Sequence, residues 1–182
     1  MILSCLGSNH KEVRKGSAQA VAAIAKLELP KKAWNALIKV LLKALEQQKL
    51  EFRLSSLETL SYITEDADPG VLSMEDIDGI FMSVIQIINI DQVKEVQELA
   101  ISCIHHLIKF SAKNFGIQDE TKNILNAIIK CASIENCDIR KKGLMAMTEV
   151  LKNFYDVSKP FLADIWTISV NAIMCKDEDI VQ

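Results

Sequence analysis

The stretch CDIRKKGLMAM, residues 137–147, begins with an acidic residue, an aliphatic one and an arginine, and reaches a glycine inside an amphipathic helical pattern. The same acidic-apolar opening recurs at Glu12-Val13, Glu51-Phe52, Glu95-Val96, Asp138-Ile139 and Asp179-Ile180. Successive apolar members, taken here as anchors, lie 39, 44, 43 and 41 residues apart. This spacing is typical of a helical-repeat solenoid rather than of a single compact core.

Columns counted from the anchor keep their chemical character. Four positions after it stand the small residues Ser17, Ser56, Ala100 and Gly143. Positions 0, 5, 8 and 11 fall on one stripe of a helix, which must be covered. That stripe holds Val13, Ala18, Val21 and Ile24; Phe52, Leu57, Leu60 and Ile63; Val96, Ile101, Ile104 and Leu107; and Ile139, Leu144, Met147 and Val150. The small residue lets a neighbouring helix approach, so we expect a helix crossing at Gly143, with a local irregularity as the alternative.

Other helices lie between these, each with its own apolar stripe. The stripes are Trp34, Leu37, Ile38, Leu41, Leu42 and Leu45; Ile80, Phe81, Val84, Ile85 and Ile88; Ile124, Leu125, Ile128 and Ile129; and Phe161, Ile165, Ile168 and Ile173. Each unit is therefore a first helix, a turn, and a second helix that starts with the acidic-apolar pair. Helix breakers separate the units at Pro30, residues 65–70, residues 114–119 and Pro160.

The fold class predicted is all-α, an α-solenoid (superhelix) of antiparallel helix pairs. The predicted divisions are a partial repeat over 1–29, complete repeats over 30–69, 70–112 and 113–156, and a partial repeat over 157–182. Because the pattern is cut at both ends, we expect the chain to be a piece of a longer solenoid whose outer repeats are the least protected.

Composition narrows the function. The chain is 49% hydrophobic and only 5% aromatic, which favours a folded, helical protein. A net charge of −3 gives no electrostatic reason to expect nucleic-acid binding. The longest apolar run, residues 20–25, is too short to enter a membrane as a span, and no signal peptide is evident. These features predict an intracellular soluble protein.

No catalytic group or cofactor site is recognisable. The histidines, His10, His105 and His106, have no partner residues in a catalytic pattern. Cys131 and Cys137 lack the closely paired spacing of a structural zinc site, and the cysteine pattern suits reduced thiols. Asp66 and Asp68 are similar to the start of a calcium-binding loop, but Pro69 follows them and no carboxylate stands at the twelfth position of such a loop. We therefore expect no catalytic residue, no metal, no cofactor and no enzymatic activity in this chain, and surface recognition as its function.

Several strings carry a family resemblance. The stretches LELPKKAWNALIKVLLKAL (residues 27–45) and LEFRLSSLETLSYITEDADP (residues 50–69) resemble the importin-β (karyopherin-β) pattern of HEAT repeats. That pattern has a turn with proline, a tryptophan opening the first helix, and an acidic turn after the second. FSAKNF at 110–115, CDIRKKGL at 137–144 and the segment from Phe161 to Gln182 also match in kind. The resemblance covers the whole chain and places it in the N-terminal part of the family's superhelix.

The resemblance implies a nuclear transport receptor of the cytoplasm and nucleus, acting at the pore complexes of the nuclear envelope. Its implied partners are phenylalanine-glycine (FG) nucleoporins, Ran-GTP, and importin-α or cargo. Arg14, Lys15, Arg53 and Glu58 are candidates for part of the Ran-GTP contact, which this chain would hold incompletely. Importin-α or cargo would bind later repeats that are absent here.

The resemblance also implies a nucleoporin pocket between first helices of neighbouring repeats. The positions that match it are Phe81, Met82 and Ile85 on one helix and Leu125 and Asn126 on the next. The family has an aromatic residue at the position of Leu125 and an aliphatic one at that of Asn126. The alternative for Phe81, Ile85 and Leu125 is a purely structural place in the core.

Two other functions stay open at this stage. One is a HEAT scaffold without a role in transport, of the phosphatase-scaffold or coat-adaptor type, which would have helix pairs but no FG pockets. The other is a solenoid that supports an enzyme elsewhere in a longer chain. Binding of an FG peptide separates the first of these from a transport receptor.

Overall fold

The structure, a computed structural model, describes residues 2–174. Its α-helices are α1 (Lys11–Glu28), α2 (Leu37–Leu45), α3 (Leu50–Asp66), α4 (Met74–Ile90), α5 (Lys94–Leu107), α6 (Gln118–Ala132), α7 (Cys137–Ser158) and α8 (Leu162–Met174). Short 3₁₀ helices cover Ile2–Gly7, Ile108–Phe110, Asn114–Gly116 and Lys159–Phe161. Between residues 2 and 174 there is no strand, so the all-α prediction is confirmed.

The chain divides into two compact units whose boundary, between Ser83 and Val84, falls inside α4. The first unit holds α1, α2, α3 and the start of α4. The second holds the rest of α4 and α5 to α8. The fifth acidic-apolar pair, Asp179-Ile180, and Cys175 lie outside the described residues.

In the first unit, α3 packs against α1 and α2 and against the first 3₁₀ helix. Leu57 and Leu60 of α3 are fully buried. Five hydroxyl side chains of this helix are buried as well: Ser55, Ser56, Thr59, Ser61 and Thr64. Ser55 Oγ donates to Leu6 O at 2.6 Å, and Thr59 Oγ1 donates to Ser55 O one helical turn back. Most of these hydroxyls can be buried because backbone carbonyls accept their protons.

In the second unit, α7 packs against α5 and α6, and α8 packs against α6 and α7. The anchors Val96 and Ile139 are fully buried. A Cβ atom on Gly143 would lie 2.5 Å from the backbone nitrogen of Ala132, the last residue of α6. The predicted helix crossing at Gly143 is therefore confirmed, and the alternative of a local irregularity is not needed.

The predicted starts of the second helices are also confirmed. Glu12, Glu51, Glu95 and Asp138 each lie in the first turn of their helix. In this position a carboxylate faces the free amides and the positive end of the helix dipole. At α7 the side chain of Asn136 adds a cap, since its Oδ1 accepts from Ile139 N at 3.0 Å.

The predicted stripe is buried along α5 but not along α1. Val13 and Ile24 are 45% and 40% exposed, although the repeat pattern predicts that they are covered. In the first unit α1 contacts α3 on one side and the six-residue 3₁₀ helix on the other. Such a short element covers only part of a helix of 18 residues, which is why the prediction is wrong at the two ends of the stripe.

Two first helices also differ from their predicted stripes. α2 begins at Leu37, because residues 29–36 form turns after Pro30, so Trp34 does not open the helix. On α8, Ile165 and Ile168 are buried but Ile173 is 67% exposed. Among the described residues, no helix crosses α8 at Ile173 in the way that α7 crosses α6 at Ala132.

The helix breakers fall where the sequence predicts them. α3 ends at Asp66 and is followed by Gly70, which has a positive φ of 88°. Proline 160 lies in the 3₁₀ helix between α7 and α8. α7 also has a kink that the sequence does not indicate: Phe154 is non-helical (φ −138°, ψ 42°), and its ring stacks on Phe115 with centroids 4.3 Å apart.

Candidate protein-binding surfaces

Helix α4 carries three of the five residues assigned to the nucleoporin pocket. Its start is fixed by a capping box, in which Asp76 N donates to Ser73 Oγ at 3.1 Å and Ser73 N donates to Asp76 Oδ2 at 3.2 Å. This reciprocal pair satisfies amides at the helix start that have no partner within the helix. Lys39 of α2 forms an ion pair with Glu75 in the same turn, with Nζ and Oε1 3.0 Å apart.

Successive residues of α4 differ sharply in exposure. Phe81 is 3% exposed, whereas Met82 is 74% exposed. Both belong to the first unit. Ile85, in the second unit, is half-buried and lies three residues after Met82, so the two side chains share one face of the helix. Met82 and Ile85 offer apolar surface to a ligand, while Phe81 lies beneath the surface.

The two residues assigned to α6 differ in the same way. Leu125 is fully buried and Asn126 is exposed. A partner that contacts α6 at this level would therefore meet the amide of Asn126 and not the side chain of Leu125. Of the five residues, Met82, Ile85 and Asn126 offer surface, and Phe81 and Leu125 do not.

The residues assigned to the Ran-GTP contact in the first unit are partly engaged by the chain itself. Arg14 Nη1 donates to Ser8 O at 2.9 Å, and Glu58 Oε1 accepts from the Tyr62 hydroxyl at 3.2 Å. Burial and the nearby Glu58 carboxylate raise the pKa of Tyr62, which therefore stays protonated and able to donate. Arg53 is half-buried, and Lys15 is exposed.

Lysines that join neighbouring repeats were not identified from the sequence. In the first unit, Lys49 Nζ donates to Gly7 O at 2.7 Å, and Lys26 pairs with Asp66 at 3.3 Å. In the second, Lys130 Nζ donates to Ile88 O at 3.0 Å, and Lys142 Nζ donates to Ser102 Oγ at 2.8 Å. The partners are 40 to 42 residues apart. A search of the sequence for lysines one repeat away from a helix end or an acceptor could have found them.

Two thiols of the second unit, those of Cys103 and Cys131, are buried within helices, whereas Cys137 is half-buried. Burial raises the pKa of the Cys103 and Cys131 thiols to about 12, which leaves both protonated at neutral pH. The rings of His105 and His106 lie 5.2 Å apart on α5. Within residues 2–174, no group of three or more His, Cys, Asp or Glu residues is arranged to hold a metal ion.

None of the helices between residues 2 and 174 is long and apolar enough to cross a bilayer.

Comparison with known proteins identifies relatives along nearly the whole chain. The family model described as "IPO5-like, TPR repeats" matches residues 9–168. Importin subunit beta-1 of Arabidopsis thaliana is 26% identical over 180 residues, which cover 98% of this chain and 21% of that protein. Importin subunit beta-1 of Saccharomyces cerevisiae is 23% identical over 163 residues, covering 88% of this chain and 19% of the relative. The chain thus spans about a fifth of the length of these curated relatives.

Solved structures share the fold. A crystal structure of importin β matches with a TM-score of 0.88 at 20% identity, over 98% of this chain and 21% of that one. Kap95p, whose binding induces the switch loops of RanGDP to adopt the GTP-bound conformation, matches with a TM-score of 0.87 at 21% identity, over 99% of this chain and 21% of that chain. Kap95 in complex with Nup1 matches with a TM-score of 0.84 at 20% identity, over 98% and 21%.

These structures confirm the predicted α-solenoid class, and the anchor spacing of 39 to 44 residues is that of HEAT repeats rather than the shorter repeat of about 34 residues found in TPR proteins. The family match over residues 9–168 agrees with the resemblance in the sequence, and the chain belongs to the importin-β family of helical-repeat proteins.

Proposed function

We propose that this chain is part of a nuclear import receptor that moves between cytoplasm and nucleus and binds FG nucleoporins at the pore. The observation that carries this proposal is the family match over residues 9–168, together with relatives that are themselves named importin subunits. A scaffold without a role in transport is not favoured, because those relatives are importins. The activity is binding rather than catalysis.

The nucleoporin contact is proposed at the exposed face of α4, with Met82 and Ile85 as its apolar members and Asn126 on α6 as its polar member. The structural relative solved with Nup1 supports a nucleoporin as the ligand class. Burying one phenylalanine ring contributes about 1.5–3 kcal/mol before the cost of association, so one such site binds weakly. Many weak sites along a nucleoporin still give useful avidity.

Phe81 and Leu125 have a supporting role in this proposal. Their side chains are buried, so they hold the helices that present the exposed members. Replacing either by alanine would remove a packed side chain and cost about 2–5 kcal/mol of stability. Loss of binding in such a variant would not separate a contact from unfolding.

Ran-GTP and importin-α or cargo are proposed as partners of the whole receptor. A structural relative solved with RanGDP supports the first. Lys15 is the exposed candidate in the first unit for part of that contact, while Arg14 and Glu58 already have partners within the chain. Importin-α or cargo would contact repeats that the 182 residues do not include.

The experiment is an NMR titration of the chain with an FG-repeat peptide, repeated with the double variant Met82→Ala, Ile85→Ala. We expect saturable binding that is weakened about tenfold in the variant, since part of the apolar contact is lost. Met145→Ala is the matched control, because Met145 is an exposed methionine on α7 outside the proposed site. A wild-type chain that is folded by circular dichroism but does not bind the peptide would overturn the nucleoporin contact.

A further inference from the structure

A groove of about 320 Å³ lies in the second unit, beside the carboxyl end of α6. Its walls include Ala132 and Ser133 at that helix end, Arg140 of α7, and Ile168, Asn171 and Met174 of α8. None of the residues assigned above to a partner lines it. The same unit shows how an equivalent place is filled one repeat earlier.

At the carboxyl end of α4, a lysine of the next first helix caps the backbone. Lys130 Nζ donates to Ile88 O at 3.0 Å and lies 3.4 Å from both Asn89 O and Asn89 Oδ1. The last four carbonyls of an α-helix have no amide partner within the helix, and the helix dipole places partial negative charge there. An ammonium group is the natural ligand of such an end.

Repeat register shows that the groove is the counterpart of this capping site. The buried pairs Val84/Ile128 and Ile88/Ala132 place α4 and α6 44 residues apart. By this register, Ile88 and Asn89 correspond to Ala132 and Ser133, which line the groove.

The spacing between matching residues is different for the next pair of first helices, α6 and α8. The buried pairs Ile124/Ile165, Ala127/Ile168 and Cys131/Ala172 place α6 and α8 41 residues apart. Lys130 therefore corresponds to Asn171, which also lines the groove.

Asn171 cannot do what Lys130 does. Its side chain is about two atoms shorter in reach and carries a neutral amide in place of an ammonium group. At the end of α6 the carbonyls of Ile129, Lys130 and Cys131 already accept from the Ser133 and Ile134 amides. The acceptors that matter for a cation are therefore the carbonyls of Ala132 and Ser133, the counterparts of Ile88 and Asn89. They lie beside an apolar wall at Ile168, and the side chain at the capping position is too short to fill the groove. Lysine methylenes lie against apolar walls of this kind while the charged head reaches the carbonyls.

We propose that this groove binds a lysine side chain of a partner protein, with its ammonium group at the carboxyl end of α6. Arg140 does not occupy the place of the ligand, because its Nε donates to Ile134 O at 2.8 Å in the turn that follows α6.

The test is an NMR titration of the ¹⁵N-labelled chain with the peptide acetyl-Ala-Lys-Ala-Lys-Ala-amide. We expect saturable shifts of the Ser133 and Asn171 amides, and none with the peptide in which norleucine replaces lysine. Asn171→Lys supplies the ammonium group from the chain itself, and it should raise the Kd for the peptide about fivefold or more. Asn123→Lys is the matched control, since it adds the same charge at an exposed position of α6.

Three results would overturn the proposal. The first is an absence of binding by the folded wild-type chain, and the second is an equal loss of affinity in Asn123→Lys and Asn171→Lys, which would indicate bulk charge alone. The third is binding that emerges only after Lys176→Met, which would show that a lysine of this chain fills the groove.

Discussion

Gly143 of α7 lies so close to Ala132 of α6 that a Cβ atom on the glycine would be 2.5 Å from the alanine backbone nitrogen. The contact is between two backbones, so no side-chain rotation can relieve an added methyl group. It joins the two helices of one repeat and decides how near their axes approach.

Gly143→Ala should destabilise the chain by about 1–3 kcal/mol, because the gain in helix propensity is smaller than the cost of separating the helices. Gly16→Ala is the matched control: Gly16 lies within α1, and a Cβ there would have no neighbour within 4 Å. That control should gain about 0.5–1 kcal/mol. Urea unfolding followed by circular dichroism measures both. Equal gains in the two variants would contradict the close crossing.

Exposed and buried cysteines of the native chain should differ in their reaction with an alkylating reagent. With iodoacetamide at pH 8, Cys5, which is exposed, should react in the native chain, while Cys103 and Cys131 should not. Their pKa of about 12 keeps the reactive thiolate scarce, and burial blocks access. Mass spectrometry of the labelled chain checks this, with a sample in urea as the control. Rapid labelling of Cys103 under native conditions would contradict the packing of α5.

Because of the same two thiols, we expect the chain to become less stable as the pH rises above 9. Because their pKa is raised from 9.0 to about 12 on folding, the unfolded chain releases these protons first as the pH rises. The free energy of unfolding should therefore be unaffected by them below pH 9 and should fall between pH 9 and 12. Urea titrations across this range, compared with Cys131→Ala, measure the effect. An identical pH profile in that variant would count against a buried Cys131.

The bridge from Lys142 to Ser102 and Glu98 should contribute measurably to stability. Lys142 Nζ lies 2.8 Å from Ser102 Oγ and 3.6 Å from Glu98 Oε1, joining α7 to α5. We expect Lys142→Met to cost about 1 kcal/mol. Lys152→Met is the control, since Lys152 forms an exposed ion pair with Glu149 of the same helix and should cost about zero. Thermal unfolding at low salt compares them. A control that costs as much as Lys142→Met would rule out a specific bridge.

The stacked rings of Phe115 and Phe154 should be energetically coupled. Their centroids are 4.3 Å apart and their planes differ by 15°. A double-mutant cycle of Phe115→Leu and Phe154→Leu should give a coupling energy of about 0.5–1.5 kcal/mol. Urea unfolding of the four proteins measures it. Additive effects would contradict an energetic coupling between the two rings.

The sequence indicates the fold best where a repeat has neighbours on both sides. Val96, Ile139 and Gly143 are covered or closely packed as predicted, whereas Phe52, the anchor next to the partial first repeat, is only half-buried. The pattern overstates burial at Val13 and Ile24, where the adjacent element is a 3₁₀ helix of six residues. Periodicity reports which face is apolar, and it carries no information on how long the covering element is.

The candidate sites are harder to predict from the sequence than the fold is. The family resemblance assigns Phe81 and Met82 alike to the nucleoporin pocket, yet one is buried and the other exposed, since they lie on different sides of α4. Lys130 reads as an ordinary solvated charge, although it caps α4 from 42 residues away. Such contacts depend on the offset between neighbouring helices, which becomes known only when those helices are placed side by side.

Side-chain bonds that join separate helices within each unit link residues 36 to 49 positions apart, about one repeat. No loop much longer than a repeat has to close before such a bond forms, so the entropy cost of each closure is modest. Most contacts of an all-helical chain are local ones within helices and turns, and these keep the average contact order low, for which rapid folding is expected. Each helix pair can then serve as a template for the next, and the chain needs no distant segment in place before folding begins.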